Sequence, residues 1–392
     1  MSSIEPRSIR QTFLPFAVPC LDQEEIDEVV DTLRSGWITT GPKTKQFERE
    51  FAAYIGAPAG LALNSCTAGL HVALRSLGIG PGDEVITTTN TFVASVNVIE
   101  HVGARPVLVD VEADTLNLDP YAVERALTPR TRAVLPVHFA GHPADLDAIR
   151  DVVGPDMLIV EDAAHALPAR YKGRMIGSNG NPTAFSFYAT KNLSTGEGGM
   201  LTGNPDFLEA AGVMALHGMS RDAWKRYGEG GSWFYEVVVP GFKYNMSDVQ
   251  ASLGLHQLRK LEGFQARRRE IVERYNSAFV GSSALEIPTV RSDVEHAWHL
   301  YVLRLNLPAL RIDRAAFIDE LARRRIGTSV HFIPVHLHPF YRDRYEYRAE
   351  DFPVAFSTYQ RTISLPLHPA LSDDDVDSVI DAVLDTAVAF RR

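Results

Sequence analysis

The sequence predicts an α/β protein, with a mostly parallel sheet between helices followed by a smaller α+β domain. Three observations carry the prediction. From residue 60 to about 205, short β-rich runs alternate with helical stretches, the rhythm of βα units. The runs are almost continuously apolar, as strands buried on both faces must be. After residue 245 the rhythm gives way to one long helical pattern and a few alternating runs.

Taken in order, strands are expected at 84–88 (EVITT), 106–110 (PVLVD), 132–138 (RAVLPVH), 157–162 (MLIVED), 184–188 (AFSFY) and 199–203 (GMLTG). Helices are expected between them at 94–101, 120–127 and 143–152, where helical apolar spacing is flanked by turn residues. The spacing predicts a long helix over 249–275, strands around 299–306 and 326–332, and a terminal helix over 373–389. A chain of 392 residues exceeds one ordinary domain. The expected division is a large domain with an N-terminal arm, 1–255, and a small C-terminal domain, 256–392.

Composition narrows the function classes. With 45% apolar and 22% charged residues, the chain has the proportions of a globular protein, not of a disordered regulator or a collagen-like chain. A net charge of −10 argues against nucleic acid or an anionic membrane as a partner. Cys20 and Cys66 are too few for a disulfide framework, and no zinc-type Cys/His spacing occurs. No apolar run reaches the length of a membrane span. The run 13–20 faintly resembles a signal-peptide core, but Pro15 and Pro19 interrupt it, no small-x-small site follows, and 22–31 reads as an acidic helix. A cytoplasmic protein is expected.

Chemistry concentrates in 157–201. The run MLIVED delivers Asp162 at a strand's C-terminal end, where ligands of open α/β sheets bind. Twenty-nine residues later AFSFYAT delivers Lys191, one of only seven lysines, followed by the turn GEGG. A carboxylate and a lysine at neighbouring strand ends suit pyridoxal phosphate (PLP): the lysine links covalently to the cofactor, and the carboxylate keeps its pyridine nitrogen protonated. The competing reading is a surface ion pair. The glycines of GIGPGDE do not form G-x-G-x-x-G and precede a strand, which disfavours a dinucleotide fold. His331, His336 and His338, with Pro334 among them, lack an acidic partner in a recognised arrangement, so no metal is expected.

EDAAHA, SFYATKNLSTGEGGM and GFKYNMSDVQASLG together resemble the DegT/DnrJ-type sugar aminotransferases, PLP enzymes of fold type I. The resemblance runs in order from GWITTGPKTKQFE through NSCTAGLHVAL and TTTNTFVAS to SVHFIPVH, nearly the whole chain. It implies a large domain with a seven-stranded, mostly parallel sheet. It also implies a role for each matching residue. Lys191 is the cofactor-linked lysine and later the proton-moving base, and Asp162 binds the pyridine nitrogen. His165 stands beside the phenolic oxygen, unless it is merely a packed strand-end histidine. Phe92 stacks on the pyridine ring, although read alone it would be core. Ser186 and the turn at Cys66 and Thr67 receive the phosphate, with Cys66 where relatives often carry glycine. Asn245 reaches the partner subunit's phosphate in a homodimer with shared sites; the alternative is a helix cap near Ser247.

The implied reaction moves an amino group from L-glutamate, leaving 2-oxoglutarate, through pyridoxamine phosphate to a keto-sugar carried on a nucleotide. Members with histidine in place of the lysine are dehydratases; Lys191 favours amination. GWITTGPKTKQFE, 217–238 and 325–339 look more like members that aminate carbon 4 of 4-keto-6-deoxyhexoses, with a product such as dTDP-4-amino-4,6-dideoxyglucose, than like carbon-3 members. Thr40, His331, Trp224 and Tyr227 are the expected substrate contacts. Trp224, Tyr227, Trp233, Phe234 and Tyr235 suit a base or sugar, and Arg221, Lys225 and Arg226 a diphosphate; a dimer interface is the other use for such aromatics. Alternatives are a 3-keto or pentose sugar, aminohydroxybenzoate synthesis, or a regulator that only binds PLP.

Overall fold

The computed structural model describes residues 10–220 and 234–392. Its main sheet has seven strands in the order Ala59–Leu63, Gly199–Gly203, Thr183–Ser186, 158–162, Thr131–Leu135, Glu84–Thr88 and Arg105–Val109. The central strand is pinched at Val160, but its pairing continues: Val160 N donates to Val134 O, Glu161 N to Pro182 O and Asp162 N to Pro136 O. Gly199–Gly203 runs antiparallel to both neighbours, and the remaining pairs are parallel. The mostly parallel seven-stranded sheet is thus present.

The chain's first strand, Ala59–Leu63, was not among the expected ones. Its sequence AGLAL is built of small residues at a sheet edge, and its first three residues are only half-buried, so it lacks the heavy apolar run of a central strand. The segment 326–332 corrects the expectation in the other direction. It forms only isolated bridges, Ile326 with Leu14 and Ser329 with Ser364. Gly327 passes so close to Leu14 that a Cβ would lie 2.8 Å from its carbonyl oxygen, and beyond it only Ser329 meets the sheet, at Ser364. The C-terminal sheet pairs Leu285–Glu286, Tyr301–Leu305 and Thr362–Leu365 instead, all antiparallel.

The helix Asp248–Phe279 carries a capping box in which Ser247 and Gln250 satisfy each other's backbone N–H groups. At 1.5 Å per residue its 32 residues span about 48 Å, enough to serve two cores. Ala251, Leu255, Leu258 and Leu261 pack with Phe47, Phe51, Phe185 and Phe187. Ile271, Val272, Tyr275 and Phe279 pack with Tyr301, Phe317, Val379 and Val383. Asp248 has a second task. Its carboxylate accepts from the backbone N–H groups of Gly41, Lys43 and Thr44 and from the Thr44 hydroxyl at 2.6–3.0 Å, capping the helix Pro42–Ile55. The stretches GPKT and NMSD therefore meet in space.

Candidate active site

A cavity of about 490 Å³ opens at the carboxyl edge of the sheet, the position favoured for ligands of such sheets. Asp162 and Ser186 end adjacent strands, Phe92 follows Glu84–Thr88, and Cys66 and Thr67 begin the helix Cys66–Ser76. All five line the cavity together with His165, Lys191 and His331. The helix start is capped by Ser65, whose hydroxyl accepts from Ala68 N at 3.1 Å, and the N–H groups of its first turn have no intrahelical acceptor. Gly199 makes this turn possible: a Cβ there would lie 2.5 Å from Ser65 C and 2.6 Å from Cys66 N.

Asp162 is buried, and its two oxygens are oriented by different neighbours. Oδ2 accepts from Ser95 Oγ at 2.7 Å and Oδ1 from Ala164 N at 3.0 Å. A carboxylate has about four acceptor positions, so capacity remains for a further donor. Cys66 Sγ stands 3.9 Å from Oδ1; burial first, then the charge of Asp162, pushes the thiol well above its ordinary pKa and keeps it protonated.

Lys191 is partly buried in the cavity wall. Burial pushes it down to about 8, against the opposing pull of the Asp162 carboxylate. Its Nζ lies 3.4 Å from His299 Nε2, and among the described residues no ion pair joins it to Asp162. The surface-pair reading therefore does not hold. Asp162, at the end of its strand, and Lys191, in the turn that follows Thr183–Ser186, face one cavity without pairing.

Ala140 N donates to His165 Nδ1 at 3.2 Å, so the ring proton resides on Nε2. Burial, reinforced by Lys191 and His331, lowers its pKa well below the ordinary value and keeps the imidazole neutral. His331 Nδ1 is 2.8 Å from Ser364 Oγ, and burial followed by Lys191 pushes its pKa to about 4. Phe92 is 59% exposed, which removes the reading as core. Phe332 joins it at 5.9 Å between ring centres.

Thr40 and Asn245 are brought together, but elsewhere. Asn245 Nδ2 donates to Thr40 Oγ1 at 2.6 Å, and Lys243 Nζ donates to Asn245 Oδ1 at 2.6 Å. Both line a second cavity of about 350 Å³ and neither lines the cavity of Lys191 in the same chain. Asn245 is not the helix cap, because Ser247 fills that position. Trp224 and Tyr227 lie outside the described residues, as do Arg221, Lys225, Arg226 and Trp233. Phe234 and Tyr235 are described and exposed. Sequence reasoning missed Ser95, Asn192 and His299. Ser95 lies inside TTTNTFVAS, and His299 inside HAWHLY just before a strand.

The donor set fits PLP on its chemistry: a buried carboxylate with spare acceptor capacity for a pyridine nitrogen, a lysine depressed toward its neutral form, and a helix start with unpaired N–H groups for a phosphate. Fold and donors together define a PLP enzyme of fold type I. The chain belongs to the DegT/DnrJ/EryC1/StrS aminotransferase family, whose model matches residues 19–384. It is 54% identical over 379 residues to the spore coat polysaccharide biosynthesis protein SpsC of Bacillus subtilis, covering 96% of this chain and 97% of that one. It is 53% identical over 377 residues to the uncharacterised protein MJ1066 of Methanocaldococcus jannaschii, covering 96% and 98%. Among solved structures, the putative sugar aminotransferase Spr1654 of Streptococcus pneumoniae superposes in its PLP form with a TM-score of 0.89 at 39% identity, covering 96% of this chain and 99% of that one. The same protein has been solved in a PMP form, with a TM-score of 0.90 at 40% identity and the same coverage. The chain is thus a PLP-dependent aminotransferase, and the reading as a binding-only regulator is set aside.

Proposed function

We propose that this aminotransferase aminates carbon 4 of a nucleotide-linked 4-keto-6-deoxyhexose, with L-glutamate as donor, in the synthesis of a polysaccharide or natural product. The observation that carries the sugar reading is the end-to-end likeness to SpsC, a polysaccharide biosynthesis protein, at 54% identity. Carbon 4 rests on the three stretches that resemble carbon-4 members. The deoxy position is supported by the cavity wall, where Phe16, Ala17 and Phe332 are apolar. A methyl group is buried there at no cost in hydrogen bonds, whereas a hydroxyl would lose its water.

The cofactor, when bound, supplies the electron sink that lets an amino group pass from donor to acceptor. The chain's own residues do the rest. Asp162, held by Ser95 and Ala164, provides the charge-assisted acceptor for the pyridine N–H. Lys191 Nζ, pushed down to about 8, would be the group that holds the cofactor covalently and, as a base, the one placed to move a proton at the substrate carbon. His165 would donate its Nε2–H to the cofactor's phenolic oxygen, Phe92 would cover the ring, and Ser186 with the amides of Cys66 and Thr67 would hold the phosphate. His331 turns its free ring nitrogen toward a sugar hydroxyl.

The working unit is a homodimer in the cytoplasm. Asn245 and Thr40 stand apart from their own chain's Lys191, which supports a role for Asn245 at the partner's phosphate and for Thr40 at the partner's substrate. The exposed Phe92, Tyr188, Phe234, Tyr235, Val237 and Val238 supply apolar surface of the kind a partner covers. The test is a panel of nucleotide-linked 3-keto and 4-keto sugars, incubated with glutamate and read by mass spectrometry. The 4-keto-6-deoxy members gain the mass of amination and 2-oxoglutarate appears; amination confined to 3-keto sugars contradicts the reading.

A further inference from the structure

Lys191 is reached by a chain of hydrogen bonds that begins in the backbone. Asn192 Nδ2 donates to Leu167 O at 2.8 Å and to Ala297 O at 2.7 Å. Both amide hydrogens are thereby used, which fixes the opposite atom as the oxygen. That oxygen lies 3.3 Å from His299 Nδ1. An amide oxygen only accepts, so His299 Nδ1 carries the ring proton and Nε2 carries the lone pair. Nε2 is the atom 3.4 Å from Lys191 Nζ, at the long end of the hydrogen-bond range. Asn192 and His299 are both buried, and His299 and Lys191 meet on the wall of the cavity.

We propose that His299 is a positioning residue for Lys191: locked by Asn192 into the tautomer with an open Nε2, it accepts one N–H of Lys191 and fixes where the other valences of Nζ point. A neutral amine with one N–H tied to the ring has fewer directions left for its lone pair, and an ammonium gains a charge-assisted bond. The ring is suited to this because burial, Lys191, His165, Arg268 and His331 all hold it neutral. The other titratable groups facing Lys191 are Asp162, Cys66, His165 and His331, with Tyr188 and Glu197 on the cavity wall; none is altered in the test below. The inference rests on the reading of Lys191 as the cofactor-linked lysine for its meaning, but not for its measurement.

The measurement uses cofactor-free full-length protein labelled with 13C at the lysine ε-carbons. The Lys191 signal is assigned by its absence in Lys191→Arg, and its shift is followed against pH. In His299→Leu, loss of an acceptor that favours the ammonium lowers the Lys191 titration by about one pH unit. His299→Gln, whose amide oxygen reaches the place of Nε2, restores it to within ~0.3 of the parent. Asn192→Leu releases the tautomer and moves the titration in the same direction as His299→Leu. Unchanged signals from the other lysines show that the variants are folded. A Lys191 titration that is unmoved or raised in His299→Leu overturns the proposal; if that variant does not fold, the same result in Asn192→Leu overturns it. The assigned role of Lys191 fails separately, through turnover surviving in Lys191→Ala.

Discussion

In the proposed mechanism Asp162 and Lys191 divide the cofactor's chemistry between them, so their substitutions are expected to fail differently. Lys191→Ala is expected to keep the fold, because among the described residues the side chain hydrogen-bonds only to His299, but to lose both the visible band of the lysine-linked cofactor and turnover. Near-parental amination of a keto-sugar by this variant would remove Lys191 from the mechanism. Asp162→Asn keeps the covalent link and its absorption, yet a neutral amide cannot hold the pyridine nitrogen protonated. Steady-state rates therefore fall by roughly 10²-fold or more; equal rates in variant and parent would end that role. These two residues were legible in the sequence because strand ends and a glycine turn are local signals. Ser95 and His299 were not, because they act on partners 67 and 108 residues away, and no spacing rule reaches that far. Phe92 and His165 became legible only through resemblance, since an isolated phenylalanine or strand-end histidine is ordinarily packing.

At the scale of elements, the turn proposed to hold the phosphate depends on how closely two segments pass. Gly199→Ala puts a methyl group 2.5 Å from Ser65 C, and the contact is with backbone, which cannot rotate away. The turn Ser65–Thr67 or the antiparallel strand must shift, at ~1–3 kcal/mol. The expected result is a lower melting temperature together with a higher apparent Kd for PLP by equilibrium titration. A parental Kd would show that the turn does not hold the phosphate. The central strands were read nearly to the residue because burial on both faces writes a continuous apolar run. The edge strand Ala59–Leu63 carries no such run. The segment 326–332 carries a strand-like one, but its pairing is limited to single bridges with Leu14 and Ser364, tertiary contacts that local propensity does not contain.

For the whole molecule, the helix Asp248–Phe279 joins two cores, and the change from one to the other falls between Leu261 and Ile271. We propose that the large and small units divide within this helix, between Leu261 and Ile271, further along the chain than the boundary at 255/256 expected from the sequence. The shared site is tested by exchange. When an Asn245→Ala chain is mixed with a Lys191→Ala chain, the one live Lys191 in a mixed dimer faces a partner whose Asn245 is intact. Activity recovers to as much as half of the parent per mixed dimer, from homodimers that are each crippled; no recovery despite proven exchange returns Asn245 to its own chain. The central claim, amination at carbon 4, is tested most directly by supplying 15N-glutamate and a nucleotide-linked 4-keto-6-deoxyhexose and locating the label in the product by NMR. The account predicts 15N bonded to carbon 4 of the sugar. Label on carbon 3, or no turnover of any 4-keto sugar nucleotide, would contradict it.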